Sequence, residues 1–379
     1  LGFALGEKIK MNKIVIDART IASIPHGFSR YITRLAEGLA ALPCEGSVLP
    51  YEMIFLVGRQ FRDIQHHPIR AFNTVEVGAP FLNPMEILEI PVILKKLRAS
   101  LYHSPTLSSL YRSPCPWVVT VHDLNHQIYG NWMQKLYYEH LLKPFFMKAK
   151  ARITVSEFSR QELLQWTGLS RESIEIVYNS MSSDDSIPLT REEIAPILQR
   201  YGLQERHFFL CLSNPKPHKN VGLLLEAYRS YSKTVAQEKL MPLVLSMKEF
   251  GDIPGVKSVG GIPDSDVRAL ISASRAVVFP SLYEGFGLPP VEAASMGASV
   301  IVSRIAPHLE GLVDLRTDEV RWVDPQDRNE WMKALQQAAE EGVNPVSHES
   351  RSRLMARFDV RRMGQDMDRI YRRVLNLNS

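Results

Sequence analysis

The residues with the most chemistry to offer form one segment, Phe279-Pro280-Ser281-Leu282-Tyr283-Glu284-Gly285-Phe286-Gly287-Leu288-Pro289-Pro290-Val291-Glu292. An apolar run, Ala276–Pro280, reads as a buried strand. A glycine-containing loop follows, then a Pro-Pro pair that suits the first turn of a helix, with Gly297 where that helix should stop. Glycines let the backbone approach a ligand closely, and a helix start offers free N–H groups to a phosphate. Glu284 falls in the loop and Glu292 in the early helix, and both carboxylates are acceptors suited to sugar or ribose hydroxyls. A plain strand–turn–helix junction with two solvated glutamates fits the same residues, but the full string is more specific than a lone GxG.

A second segment, Cys211-Leu212-Ser213-Asn214-Pro215-Lys216-Pro217-His218-Lys219-Asn220, also joins an apolar strand to an amphipathic helix. Lys216, His218 and Lys219 there could clamp a diphosphate by point-charge attraction, or simply form a solvated basic turn. A third, Asp17-Ala18-Arg19-Thr20 through Gly27-Phe28-Ser29-Arg30-Tyr31, places Gly27 before a helix start where amides could meet a phosphate. Ser29 stands where GxGxxG needs a glycine, so a dehydrogenase fingerprint is not supported. A fourth, Thr120-Val121-His122-Asp123-Leu124, ends an apolar strand. His122 could orient a reacting group, while Asp123 could cap a helix or fix an imidazole tautomer. His103 carries the same ambiguity, and both histidines are equally compatible with structural roles.

The elements that must position these groups follow from periodicity. Short apolar runs without clean alternation are expected as strands covered on both faces. They are Lys13–Ala18, Met53–Val57, Thr74–Val77, Ser100–His103, Trp117–His122, Arg152–Val155 and Ile174–Tyr178, then His207–Ser213, Leu243–Met247, Val256–Gly260, Ala276–Pro280, Ala298–Ser303 and Val320–Val323. Trp132–Ala151 reads as largely helical with a kink or break at Pro144. The helix after Lys219 carries Val221, Leu224, Leu225 and Tyr228 on one stripe. The last stretch puts Met363, Met367, Ile370, Tyr371, Val374 and Leu375 on one face that needs a partner.

A chain of 379 residues exceeds one typical core, and β/α alternation on both sides of the polar stretch Ser180–Glu193 predicts two doubly wound domains. The expected N-terminal domain is 11–181 plus 360–379, and the C-terminal one 182–359, with the crevice between them as the default ligand site. Leu1–Lys10 reads as neither signal peptide nor transmembrane segment, and Met11-Asn12-Lys13-Ile14 resembles a native start. A net charge of +4 is too small to argue for nucleic acid. Cys44, Cys115 and Cys211 show neither metal spacing nor a disulfide framework, which points to a reducing cytosol.

Taken in order, these motifs, with Val155-Ser156-Glu157-Phe158-Ser159-Arg160 and Val323-Asp324-Pro325, resemble the retaining glycosyltransferases of family 4, which have the GT-B fold. The Glu284–seven residues–Glu292 element is the most diagnostic part. The resemblance implies that Glu284 holds hydroxyls of a donor sugar, that Gly285, Phe286, Gly287 and Leu288 present backbone groups to sugar and phosphate, and that Glu292 binds ribose. It implies that Lys219, with Lys216 standing in for an arginine common in the family, and Gly27 meet the diphosphate. His122 would sit by the anomeric carbon, so His122 and Glu284 are the implied catalytic pair. The final helix would cross back onto the N-terminal domain.

The implied reaction moves a hexosyl group from GDP-mannose or a UDP-hexose to a hydroxyl of a glycan or lipid-linked acceptor in bacterial surface polysaccharide assembly, keeping anomeric configuration. Neither cofactor nor metal is implied. Asp264-Ser265-Asp266 and Asp366-Met367-Asp368 have the form of a metal motif but are expected as solvated positions away from the donor motifs. Met85–Arg98 and Trp132–Arg152 mix apolar with basic residues, which fits either contact with an anionic membrane at its inner face or helices packed on the sheet. A glycosyl phosphorylase, a nucleotide-sugar epimerase or a non-catalytic nucleotide-sugar-binding protein remain alternatives. A glycosidase is disfavoured because both carboxylates lie on one loop–helix segment.

Overall fold

The computed structural model describes residues 11–22, 27–42, 49–110, 112–181, 189–247 and 253–377. The chain divides into two units, Leu1–Val155 with Arg160–Ser180 and Val360–Ser379, and Ser156–Ser159 with Met181–Asp359. Cys44 lies outside the described residues.

The first unit contains β1 (Asn12–Asp17), α1 (Gly27–Ala40), β2 (Tyr51–Val57), β3 (Asn73–Glu76), α2 (Glu86–Leu97), β4 (Leu101–Ser104), β5 (Trp117–Thr120), α3 (Asn125–Ile128), α4 (Trp132–Tyr137), α5 (Lys143–Lys148) and β6 (Ala151–Thr154). After β6 come α6 (Glu157–Thr167) and β7 (Glu175–Ile176). The second unit runs α7 (Arg191–Tyr201), β8 (Phe209–Cys211), α8 (Val221–Ser232), β9 (Leu243–Leu245), β10 (Val256–Ser258), α9 (Asp264–Ala273), β11 (Ala276–Phe279), α10 (Leu288–Ser295), β12 (Val300–Ser303), α11 (Ala306–Gly311), β13 (Val320–Val323), α12 (Arg328–Glu340) and α13 (His348–Arg357). The chain then returns to the first unit as α14 (Val360–Val374).

Both sheets are parallel throughout, in the orders β3-β2-β1-β4-β5-β6-β7 and β10-β9-β8-β11-β12-β13. Each is the doubly wound order in which the chain reverses direction once across the sheet, leaving a crevice at the carboxyl ends of the two strands beside the switch. In the second unit those strands are β8 and β11. The two basic and acidic segments singled out from sequence are the loops that leave them. The expected apolar runs all became strands, most of them trimmed at the ends, because side chains continue the apolar run after the ladder hydrogen bonds stop.

Of the kink or break expected at Pro144, the break does not occur: Pro144 sits in the first turn of α5, after a widened π turn at Tyr138–Leu142. The Lys143 amide reaches back five residues to Tyr138 O, which makes room for a proline ring that would clash in a regular turn.

The apolar stripe of α14 finds its partner in α1. Met363, Met367, Ile370 and Tyr371 are buried, and Tyr371 donates or accepts a 2.7 Å hydrogen bond with His103. The crossing is set by two glycines: a Cβ on Gly38 would lie 2.4 Å from Val360 O, and one on Gly364 would lie 2.2 Å from Gly38 O. Gly38→Ala is therefore expected to force the helices apart and cost about 1–3 kcal/mol in urea unfolding. Gly222→Ala, where an added Cβ meets nothing within 4 Å, should change stability by under about 0.5 kcal/mol.

Candidate functional site

The second unit gathers its chemistry at the β8/β11 switch. After β8, Pro217–Lys219 form one tight turn, and Asn220 takes a left-handed conformation, φ 55°, to start α8. Asn220 Nδ2 donates to Pro280 O at 3.1 Å and to Pro325 O at 2.7 Å, so one side chain ties together the segments following β8, β11 and β13. The Leu282 amide donates to His218 O at 2.7 Å and fixes the loop after β11 against the loop after β8.

That register brings Lys219 Nζ to 2.7 Å from Glu284 Oε1, with 18% and 15% of the two side chains exposed. Ser281 Oγ donates to the same carboxylate oxygen at 2.7 Å. Burial alone would raise the Glu284 carboxyl, but the positive charge of Lys219, the nearby His308 and the two hydrogen bonds outweigh it and hold it below the usual carboxylate range. Glu284 is thus an ionised, oriented acceptor. Gly287, φ 81°, is the N-cap of α10, a conformation that favours glycine. Pro289 occupies the first turn, where its missing N–H costs nothing. The Phe286 ring is buried edge-on to Phe358, leaving its backbone as what it can offer a ligand. Glu292 stands half-buried in the second turn of α10, while Lys216 is exposed at the rim of the β8 loop.

Sequence reasoning quoted Ser156 and Ser159 without assigning them a task. Both hydroxyls donate to Gly285 O, and Glu310 accepts from the Glu157 and Phe158 amides. The two serine bonds pin the glycine loop at one carbonyl, and Glu310 holds the start of α6 that carries them. His308 was not singled out at all; an isolated histidine on a short helix gives no sequence signal, and only its buried place beside Gly287 marks it.

In the first unit, His122 and the start of α1, which begins at Gly27, come together. The His122 ring packs edge-on against Phe28 and Tyr31, with centroids 5.2 and 4.5 Å away. Its Nε2 donates to Pro105 O at 2.9 Å, and burial lowers its pKa despite that bond and the charge of Asp123. Asp123 accepts from the Asn125 amide at the start of α3, so it caps the turn. His103 is structural: it is fully buried between Tyr371 and Thr120, and burial, helped by His122, pulls its pKa down to about 3. Asp17 and Arg19 form a buried bidentate pair that Glu86 and Ser108 complete, which locks the end of β1 to α2.

The two Asp-x-Asp runs lie on α9 and α14. Asp266 is not solvated as expected: it is buried and accepts from Arg200 and Tyr201, because α7 packs on α9 there. Asp366 and Asp368 pair with Arg369 and Arg372.

Comparison with known proteins supplies a frame for this geometry. Residues 25–184 match the family model described as Glycosyltransferase Family 4, and residues 195–355 that described as Glycosyl transferases group 1. The chain is 31% identical over 243 residues to O-antigen chain mannosyltransferase B of Escherichia coli, covering 59% of this chain and 63% of that protein. It is 27% identical over 228 residues to O-antigen chain mannosyltransferase RfbU of Salmonella typhimurium, covering 57% and 59%. The matches span less than two thirds of either relative's length. Among solved structures, Anabaena Alr3699/HepE in complex with UDP and glucose aligns with a TM-score of 0.72 at 15% identity over 95% of this chain and 99% of that one. Sucrose-phosphate synthase from Thermosynechococcus elongatus aligns at 0.71 and 17% over 96% and 99%. At these identities the likeness is one of fold.

The Lys219–Glu284 pair yields a stability test. Lys219→Met leaves Glu284 without its counter-charge and should cost about 1.5–3 kcal/mol in urea unfolding at neutral pH. A carboxyl whose pKa is depressed by folding contributes stability above its unfolded pKa, roughly 4.3, and loses it as pH falls through the lower folded value. The gap between wild type and variant should therefore close on acidification below that range; a gap independent of pH would contradict the pairing.

Proposed function

We propose that this chain, which belongs to the Family 4 and group 1 glycosyltransferases and carries their GT-B fold, moves a hexosyl group from a nucleoside-diphosphate sugar to a hydroxyl of a glycan or lipid-linked acceptor. The observation that carries the reading is the convergence, at one topological switch point, of an ionised Glu284, the Lys219 ammonium and the glycine-capped start of α10. Such a site offers a hydrogen-bond acceptor for hydroxyls, a cation and the backbone amides of a glycine loop, the groups that a sugar joined to a pyrophosphate requires. The curated relatives named as O-antigen mannosyltransferases favour mannose as the transferred sugar.

The chemistry proposed for these residues is charge stabilisation. As the bond from C1 to the diphosphate breaks, negative charge grows on the leaving phosphate, where Lys219, Lys216 and the backbone amides of the Gly285–Leu288 loop would meet it. The acceptor oxygen forms the new bond to C1 on the same face, and its proton passes to the departing phosphate, so configuration is kept. Glu284 holds sugar hydroxyls and Glu292 the ribose. In this reading cations of the protein take the place of a divalent ion.

A membrane-facing role for the first unit is also proposed. Ile90 and Leu94 of α2 and Tyr138, Leu142 and Phe145 beside α4 and α5 belong to one core cluster with Val15 and Tyr102, so these helices share a face of the sheet. Their outer sides expose Leu88 and Val92, and Trp132, Met133 and Leu136, with Trp132 69% accessible, near Lys95, Lys96 and Lys135. Exposed apolar side chains on helices that also carry lysines suit the interface of an anionic bilayer. No helix among the described residues is long and apolar enough to cross one.

Thermal-shift and turnover measurements with GDP-mannose and UDP-glucose should show stabilisation by one nucleotide class and acceptor-dependent product with the donor's anomeric configuration by NMR, undiminished by EDTA. Glu284→Ala should lower kcat/KM by roughly 100-fold or more. Binding without any turnover would favour a non-catalytic role, and a covalent glycosyl-Glu284 would overturn same-face attack. In vesicle co-sedimentation, Leu88→Ser with Trp132→Ser should weaken binding to anionic liposomes at least tenfold, since each buried side chain contributes about 1.5–3 kcal/mol.

A further inference from the structure

His308 is a buried, titratable group at the switch point for which the proposed chemistry has no use. It lies on α11, directly after β12, and is 1% exposed. Its Nδ1 lies 2.9 Å from Ser303 O; a carbonyl can only accept, so Nδ1 carries a proton. In the neutral ring Nε2 is then a bare acceptor, and it is buried with no hydrogen-bond partner. Leaving such an atom unsatisfied costs free energy, and native proteins rarely do so without a use for it. The ring edge that carries Nε2 lies against Gly287: a Cβ there would sit 2.6 Å from Cδ2 and 3.3 Å from Nε2. The glycine therefore serves the histidine as well as the turn.

We infer that His308 is a positioning residue of the donor site: when a nucleoside-diphosphate sugar draws Lys219 onto its pyrophosphate, Nε2 of His308, held against the glycine loop at Gly287, takes up a proton and becomes a cation whose charge acts on Glu284. The inference rests on the donor reading above, in which Lys219 and Glu284, paired at 2.7 Å here, must turn to different parts of one ligand. Glu284 would then be a nearly buried carboxylate deprived of its counter-charge, a state that strongly favours protonation of a neighbouring base. Glu284 and Lys219 are the charged groups that act on the ring: burial is the main influence lowering its pKa, Glu284 and the Ser303 carbonyl oppose it, and Lys219 adds to the lowering. Neutralising Lys219 by pyrophosphate removes one of the two lowering influences and leaves Glu284 in place. Nε2 gains one proton from solvent; no other bond is made or broken. Because the pKa rises on binding, donor affinity should increase as pH falls, by at most about tenfold per pH unit.

The test is calorimetric titration with GDP-mannose and UDP-glucose, without acceptor, in two buffers of different ionisation enthalpy across the neutral range. Wild type is expected to take up a proton on binding the accepted donor. His308→Gln, which retains a polar tip but cannot be protonated, should bind with that uptake abolished and a flatter pH profile. Nitrogen-15 NMR of the wild-type His308 ring should show Nε2 bare in the free protein and protonated with donor bound, a readout that stands even if the variant folds poorly. Proton uptake unchanged in His308→Gln, or a ring that stays neutral with donor bound, overturns the inference while the donor site stands. Failure of both nucleotide sugars to bind overturns the donor reading and the inference together.

Discussion

The structure of the second unit depends on a pair of opposite charges held in a place that is mostly dry. Lys219 and Glu284 come from loops 65 residues apart in sequence, yet they meet at 2.7 Å because β8 and β11 are neighbours in a parallel sheet whose winding reverses between them. A pair so placed contributes to stability only while both partners remain, since removing either leaves a charge with few waters to solvate it. The same property makes it useful. A ligand that offers hydroxyls to the carboxylate and a pyrophosphate to the ammonium exchanges one set of hydrogen bonds for another, and leaves only the counter-charge of the carboxylate to be supplied from elsewhere.

Everything nearby serves to hold the two loops in register. Asn220, in its left-handed conformation, binds carbonyls after β11 and β13; His218 O takes the Leu282 amide; Ser156 and Ser159 fix Gly285 O. Gly287 admits the turn into α10 and leaves room for the His308 ring. A site built from short loops on strand ends gains its precision from such cross-links rather than from the loops themselves.

How much of this was legible in the sequence follows from which signals are local. Apolar runs and turn residues are local, so the strands, the proline-led start of α10 and the buried stripes of α8 and α14 could be read directly. The strand-loop-helix segments bearing Lys219 and Glu284 could be found because a glycine loop, a Pro-Pro pair and two spaced carboxylates lie within one window. What was not legible depended on pairing across long sequence separation. The Lys219–Glu284 contact, the serines on Gly285 O, the burial of Asp266 against α7 and the orphaned Nε2 of His308 each need two distant segments to be placed first. The widened turn before Pro144 was hidden for another reason: a π turn and a kink answer the same missing N–H, and composition does not distinguish them.

The most direct measurement is a crystal structure of the protein with an uncleavable nucleotide-sugar donor. The expected density has the ammonium of Lys219 on the pyrophosphate and the carboxylate of Glu284 on sugar hydroxyls, with the contact between the two side chains opened. A donor lodged elsewhere, with those two side chains still joined at their present distance, would contradict the mechanism at its root.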